Sequence, residues 1–543
     1  MLEPNKKAIK NLYIFAIMNG LISLSLPLGI QAIINLIQGG EISASWILLV
    51  SIVLIGYVLN GGLQVVQLRI TEDLQKDIFT RSAFDFTYRI PRIRMDALHN
   101  HYAPELMNRF FDTIVIQKGV AKVLLEFTAS GLQILFGLIL MSFYHPFFII
   151  FSLLVVLIVF IIGNFIFQRG LKSSFTESKY KYKVAFWLEE IARTNTTFRL
   201  SCDTSLPVKK TDELVNSYLD ARETHFKVLV KQYYIFIVFK ILVAAGFLVL
   251  GGILVINQQM NIGQFVAAEI IVLLLISSSE KLLLTLESVY DLLTSIEKIG
   301  QVTDLELESS VENMSEINQI RNGMSVKISQ LYFKYPDAVE YSLQDLSFDI
   351  ETNEKVCLTG SNGSGKSTLL KLMTAFFEPE RGSILYDGLS IKNYDTTHLR
   401  SLIAECISDD RIFNGSLLEN LTVGRKVDIE EVVEMMNHTG LNEFINNLPQ
   451  GYDTQIGPQG KRLPGSVNQK IVLARNLLKR PRLLIVEDIF RNLEKTEKLE
   501  IFKYILSHSE KPTVIILSKD PDVMKLTDRI ITMDDGHNIA SNK

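Results

Sequence analysis

Hydrophobic positions follow two different patterns along the chain. Residues 11–38 and 43–68 carry no charge at all. Residues 127–168 form a longer uncharged run interrupted by His145-Pro146, and residues 241–268 form another, continued with few charges to 286. Each is long enough to cross a bilayer, which takes roughly 20 apolar residues in a helix. The break at His145-Pro146 and a second at Asn257-Gln258-Gln259-Met260-Asn261 divide the longer runs, so six spans are predicted. After Met324 the pattern changes to alternating strands and helices, as in a water-soluble α/β domain. Residues 305–322 between them are mostly polar and read as a linker. The predicted organisation is a transmembrane domain over 1–304, the linker 305–322, and a soluble domain over 323–543.

Charge fixes the orientation. The short connectors 39–44, 144–146 and 256–263 contain no Lys or Arg, whereas 69–122 and 169–231 contain many. Cytoplasmic loops are the ones enriched in Lys and Arg, so the long connectors, both termini and the soluble domain are expected on the cytoplasmic side. The long connectors read as helices continuing into water. Each has a less regular patch, 100–107 and 192–198, which reads as a short transverse helix or as a plain turn. Lys240, Glu269, Glu280 and Lys281 lie in or beside apolar spans. Such charges mark functional sites by default, with snorkelling or Glu–Lys pairing as the structural alternative.

Composition agrees with a chain that is part membrane and part soluble. Of 543 residues, 48% are hydrophobic and 21% charged, and the mean hydropathy is +0.22. The net charge of −4 gives no electrostatic case for nucleic acid. The three cysteines, Cys202, Cys357 and Cys406, have no metal-ligand spacing. The basic start precedes an apolar run too long for a signal peptide, so a retained span is expected.

The most specific signal is Gly360-Ser361-Asn362-Gly363-Ser364-Gly365-Lys366-Ser367-Thr368. It follows the apolar stretch Lys355-Val356-Cys357-Leu358-Thr359 and opens the helical pattern Leu369-Leu370-Lys371-Leu372-Met373, which is the context a phosphate-binding loop requires. Glycines let several backbone N–H groups converge on phosphate oxygens, and the helix that follows adds its positive end. Lys366 can reach the terminal phosphates, and the Ser367 hydroxyl can ligate Mg²⁺. A nucleoside triphosphate is the expected ligand.

Six spans followed by such a domain resemble a half-transporter of the ATP-binding cassette (ABC) exporter family, over nearly the whole chain. The resemblance implies a six-helix all-α transmembrane domain followed by an α/β P-loop ATP-binding cassette domain, with ATP and Mg²⁺ as ligands. Tyr335 resembles the aromatic that stacks on adenine, with a core aromatic as the alternative. Leu483-Leu484-Ile485-Val486-Glu487-Asp488 resembles the strand ending in a Mg²⁺-side carboxylate, Glu487, and a catalytic carboxylate, Asp488. The residues 473–478 resemble the helix after the signature, and 530–536 the closing hairpin.

Several motifs depart from the family. The usual Asp-Glu order is reversed at Glu487-Asp488. The signature Leu-Ser-Gly-Gly-Gln is here Leu463-Pro464-Gly465-Ser466-Val467, with Gly465 and Ser466 facing the nucleotide by analogy. The Mg²⁺-sensing glutamine falls on Ser408 and the γ-phosphate histidine on Lys519, and Arg491-Asn492-Leu493-Glu494 replaces Ser-Ala-Leu-Asp. Asp488 is one methylene shorter than Glu, which sets its carboxylate back by about 1 Å. A shift of that size costs on the order of a hundredfold in rate. ATP binding is expected to persist and hydrolysis to be weak.

The resemblance also implies a partner, because each ATP of such a transporter lies between one chain's phosphate loop and the other's signature. A heterodimer with a second half-transporter is favoured and a homodimer is the alternative. The expected function is ATP-dependent export from an integral membrane position, with a bacterial inner membrane as the expected location. The competing reading is an ATP-binding regulatory half with little hydrolysis of its own. With the first span beginning near Asn11, a built-in leader-processing step is not expected, and the exported substrate is not legible.

Overall fold

The computed structural model describes residues 5–38, 44–99, 101–202, 204–308, 323–407, 411–461, 463–487, 493–507 and 511–542. The chain forms two compact units. One contains residues 5–91 and 101–305, the other residues 92–99 together with 306–542.

The first unit is helical. Helices cover Lys6–Ser23, Ser25–Gln38, Ala44–Arg89, Thr128–Ser142, Pro146–Arg193, Leu206–Ile256 and Ile262–Thr303. The first two follow one another across a turn at Leu24 and together form one apolar segment. Among the described residues, five helical segments are long and apolar enough to cross a membrane. A sixth apolar stretch, Pro146–Ile161, opens the 48-residue helix Pro146–Arg193. At 1.5 Å per residue that helix is about 72 Å long, more than twice a hydrocarbon core. Its far half is the basic segment read as cytoplasmic.

Local chemistry explains where two of these helices start. Pro146 takes the first helical position, where its missing N–H costs nothing. At the other break, Asn261 accepts from Gln264 N (2.7 Å) while the Gln264 side chain accepts from Asn261 N (2.9 Å), a reciprocal cap. Val58 and Phe160 are 75% and 71% exposed, as apolar side chains in lipid must be when no solvent-driven burial operates. Packing within the bundle uses close approach. An added Cβ at Gly20 would meet the Phe136 ring at 2.9 Å, and one at Gly29 would meet Val53 at 2.3 Å. Lys240 Nζ lies 3.9 Å from Glu280, and Tyr233 donates to the same carboxylate at 3.4 Å. Two of the four intramembrane charges therefore pair with each other. Short helices occur at both irregular patches, Ala103–Met107 and Asn195–Leu200.

The second unit contains two larger sheets. Strands β1 (Val326–Phe333), β2 (Leu343–Ile350), β3 (Lys355–Gly360), β4 (Arg381–Tyr386), β5 (Leu389–Ser390), β6 (Ile403–Cys406), β7 (Gly415–Ser416), β8 (Gln455–Ile456), β9 (Leu483–Glu487), β10 (Thr513–Leu517), β11 (Arg529–Asp534) and β12 (His537–Asn542) follow in order. One sheet has the order β2-β1-β4-β5 with antiparallel pairs. The other has the order β12-β11-β3-β10-β9-β6 and is parallel except for the β11–β12 hairpin. β9 and β10 are apolar almost throughout and nearly fully buried, as strands covered on both faces must be.

Residues 92–99 belong to this unit by their contacts. Arg94 N donates to Glu306 O (2.9 Å) and Glu308 N to Arg92 O (2.8 Å). Met95 packs on the core that includes Val356, Leu369 and Ile515. Glu308, inside the segment read as linker, is only 17% exposed and pairs with Arg400 at 2.5 Å. The first residues of that segment are thus fixed on the second unit, and 309–322 lie outside the described residues.

Candidate nucleotide site

Parallel strands bring distant motifs to one edge. Leu517 of β10 lies level with Leu358 of β3 on one side and with Glu487 of β9 on the other. The carboxyl ends of three adjacent strands therefore deliver the phosphate loop, Glu487 and Lys519 to the same edge, where open α/β sheets bind ligands.

The loop between β3 and the helix Lys366–Met373 has the conformation its glycines permit. Gly360, Gly363 and Gly365 have φ of 147°, 85° and 88°. At Gly360 a Cβ would lie 2.0 Å from the Met533 carbonyl oxygen, so β11 and the loop could not approach as they do with any larger residue. Lys366 Nζ donates to Gly360 O (3.2 Å), Ser361 O (2.7 Å) and Ser364 Oγ (2.8 Å), which holds the ammonium over the loop. Burial lowers the Lys366 pKa below the ordinary lysine value, and the positive charge of Lys519 lowers it further, against a weaker opposing effect of Glu487. Ser364 is buried, while Ser361, Asn362 and Ser367 are exposed at the mouth.

Lys519 Nζ donates to Asn362 Oδ1 at 2.9 Å, so a cation from the end of β10 reaches the loop. Ser361 Oγ donates to Asp534 Oδ1 at 2.7 Å. Tyr335 is half-buried, with its hydroxyl 3.3 Å from Thr368 Oγ1. Its ring stands edge-on to Phe333 and Phe377 and stacks with His99 at 5.4 Å between centroids and 14° between planes. Residues 92–99 thus supply an imidazole to the aromatic read as the adenine platform.

The helix Gly465–Leu477 begins differently. Pro464 occupies its N-cap with φ −56° and ψ 144° and makes no side-chain capping bond. Gly465 is exposed and Ser466 half-buried. Ser408, Asp488, Arg491 and Asn492 lie outside the described residues.

The loop, Lys366, Ser367, Thr368, Tyr335, Glu487 and Lys519 therefore converge in one unit. Among the described residues no group of three His, Cys, Asp or Glu could hold a metal ion. A Mg²⁺ site does not need one, because that ion is held by one or two protein oxygens together with substrate phosphates and water. Ser367 and Glu487 are of the right donor type. Asp534 and His99 were not identified from the sequence. Asp534 sat in a recognised hairpin without a role, and no local signal connects position 99 to Tyr335 across more than 230 residues.

Comparison with known proteins agrees with this geometry. Residues 343–490 match the ABC transporter family, and residues 11–279 match the ABC transporter transmembrane region. The leukotoxin export ATP-binding protein LtxB of Aggregatibacter actinomycetemcomitans is 30% identical over 295 residues, which cover 54% of this chain and 41% of that protein. The alpha-hemolysin translocation ATP-binding protein HlyB of Escherichia coli O157:H7 is 30% identical over 290 residues, or 53% and 40%. The matched part of this chain spans about two fifths of each of these relatives. A bacterial Atm1-family ABC exporter solved with ATP bound superimposes with a TM-score of 0.87, covering 99% of this chain and 95% of that one at 19% identity, a likeness of fold. The chain belongs to the ABC transporters and carries a transmembrane region and an ATP-binding cassette in one polypeptide.

Proposed function

We propose that this chain is one half of a dimeric exporter in which ATP binding between two cassettes switches the transmembrane cavity from inward- to outward-facing. The observation that carries the proposal is the formed phosphate loop, with Lys366 held by three loop oxygens, on the same polypeptide as the apolar helices. LtxB and HlyB are named for export and translocation, which favours export. A cytoplasmic cassette and a bacterial inner membrane belong to the same reading.

In this scheme Gly360, Ser361, Asn362, Gly363, Ser364 and Gly365 cradle the phosphates, Lys366 and Thr368 hold their position, and Tyr335 meets the adenine. Lys519 keeps positive charge beside the terminal phosphate. Mg²⁺, with Ser367 and Glu487 as its protein ligands, screens phosphate charge when bound. Gly465 and Ser466 face the nucleotide held by the partner chain, with a heterodimer preferred to a homodimer. Asp488 and Ser408 take the catalytic and Mg²⁺-sensing positions. The shorter Asp488, the proline before Gly465 and the lysine at 519 all weaken hydrolysis while the phosphate loop itself keeps its motif.

That imbalance favours a second reading, a half that holds ATP while its partner hydrolyses it. ATP turnover by this chain alone in lipid, against Lys366→Ala as blank, tests whether this chain hydrolyses ATP without a second half-transporter. Turnover at the blank level with ATP still bound is the outcome expected for a heterodimer half. Turnover well above the blank removes the case for a partner with intact motifs.

A further inference from the structure

We propose that the helical unit holds a second ligand site, a cleft of about 710 Å³ for a soluble organic polyanion bearing a flat ring. It is built from the short helix Ala103–Met107 and the turn after it, the end of Pro146–Arg193, the start of Leu206–Ile256 and the end of Ile262–Thr303. All of these lie within the first unit. Its volume is in the range of small-molecule sites.

The charge of its walls is lopsided. Two cations each have one carboxylate partner, Arg109 through Nη2 with Glu105 at 3.0 Å and Arg193 with Glu190 at 2.6 Å. Lys179, Lys183, Lys210 and Lys298 also line the cleft, and none of them forms an ion pair among the described residues. Four like charges in one concavity repel one another and concentrate an anion.

Arg109 supplies the independent sign of a ligand. It is only 7% exposed, and apart from an interaction with the Tyr182 side chain its Nε and Nη1 have no hydrogen-bond acceptor among the described residues. Its guanidinium lies 3.9 Å from the centre of the Tyr182 ring, and Tyr182 in turn donates to the buried Asp112. A buried guanidinium with two unspent donor nitrogens is costly unless an acceptor reaches it. Carboxylate, sulfonate and phosphate oxygens are such acceptors.

The rest of the wall explains the flat ring. Tyr182, Phe186 and Trp187 line the cleft. Trp187 is fixed by its Nε1 donating to Thr211 Oγ1 at 3.1 Å, and Lys210 Nζ stands 4.1 Å from the centre of its ring. Cations over fixed aromatic faces suit a ligand that is anionic at its rim and apolar in its plane.

The test uses the full-length chain in phosphatidylcholine vesicles, with pyrenetetrasulfonate as a fluorescent flat polyanion. Saturable binding is expected that excess ATP does not displace. The double variant Lys183→Gln/Lys298→Gln removes two charges at less buried positions than Arg109, and is expected to weaken binding by about tenfold while leaving ATP binding intact. Arg109→Gln is expected to weaken it at least as much. Absence of saturable binding, an unchanged affinity in the double variant, or displacement by ATP would overturn the proposal. Displacement by short-chain phosphatidylglycerol would assign the cleft to a lipid headgroup and overturn the soluble ligand.

Discussion

Two helices of the same α/β unit begin in opposite ways. Lys366–Met373 starts from a loop with three glycines at positive φ and a lysine tied back over it. Gly465–Leu477 starts from a proline that offers its helix no side-chain cap. In the proposed assembly the first helix serves the nucleotide bound by its own chain, and the second serves the nucleotide bound by the partner. In that assembly the difference would mean a chain equipped to hold ATP but altered where it serves another chain's site.

The sharpest way to break that comparison is to damage the intact side. Gly360→Ala would place a Cβ 2.0 Å from a backbone oxygen at a φ of 147°. Overpacking and strain together are expected to cost about 4 kcal/mol, a loss of ATP affinity of several hundredfold. Gly363→Ala meets nothing within 4 Å and has only the φ of 85° against it, so about 1 kcal/mol is expected. Dissociation constants for ATP in the two variants check this, and equal losses would mean that the close approach of β11 is not what shapes the loop.

The next effects come from repairing the altered side. Asp488→Glu restores the reach of the family's carboxylate and is expected to raise turnover on the order of a hundredfold, with ATP affinity unchanged. If steady-state turnover does not move, the shorter side chain is not the limiting defect. Pro464→Ser returns a capping hydroxyl to the Gly465 helix, a change worth about 1 kcal/mol to the helix start. Alone it is expected to change turnover little, and with Asp488→Glu a further few-fold. Turnover of the single and double variants decides whether the two sites act together.

How much of this was legible depended on how local each feature is. The phosphate loop is nine consecutive residues whose glycines, lysine and flanking strand and helix all state the same conformation, so it could be read directly. The apolar runs were equally plain, because a bilayer demands about 20 apolar residues in succession. Contacts between distant segments were not legible. His99 meets Tyr335, and Asp534 holds Ser361, only because the fold brings them together. Residues 305–308 looked like linker because they are acidic. The ion pair of Glu308 with Arg400 shows that an acidic residue can be an anchor when a half-buried guanidinium faces it.

The smallest effect probes the point where the intact and altered sides touch, the pair of cations at the loop. Burial first, and the Lys519 charge second, hold the Lys366 pKa below that of a free lysine. Lys366 therefore loses its proton at a lower pH than an ordinary lysine, and ATP affinity is expected to fall as pH rises through that value. Lys519→Gln removes a neighbouring positive charge, so the Lys366 pKa rises and the fall in affinity moves to higher pH. At neutral pH the same variant loses one cation near the phosphates, so its affinity is expected to start a few-fold lower. ATP dissociation constants from neutral pH to about 10, for the parent and the variant, would show two curves that approach each other as pH rises. Parallel curves would mean that Lys519 acts on the phosphates alone and leaves the phosphate-loop lysine untouched.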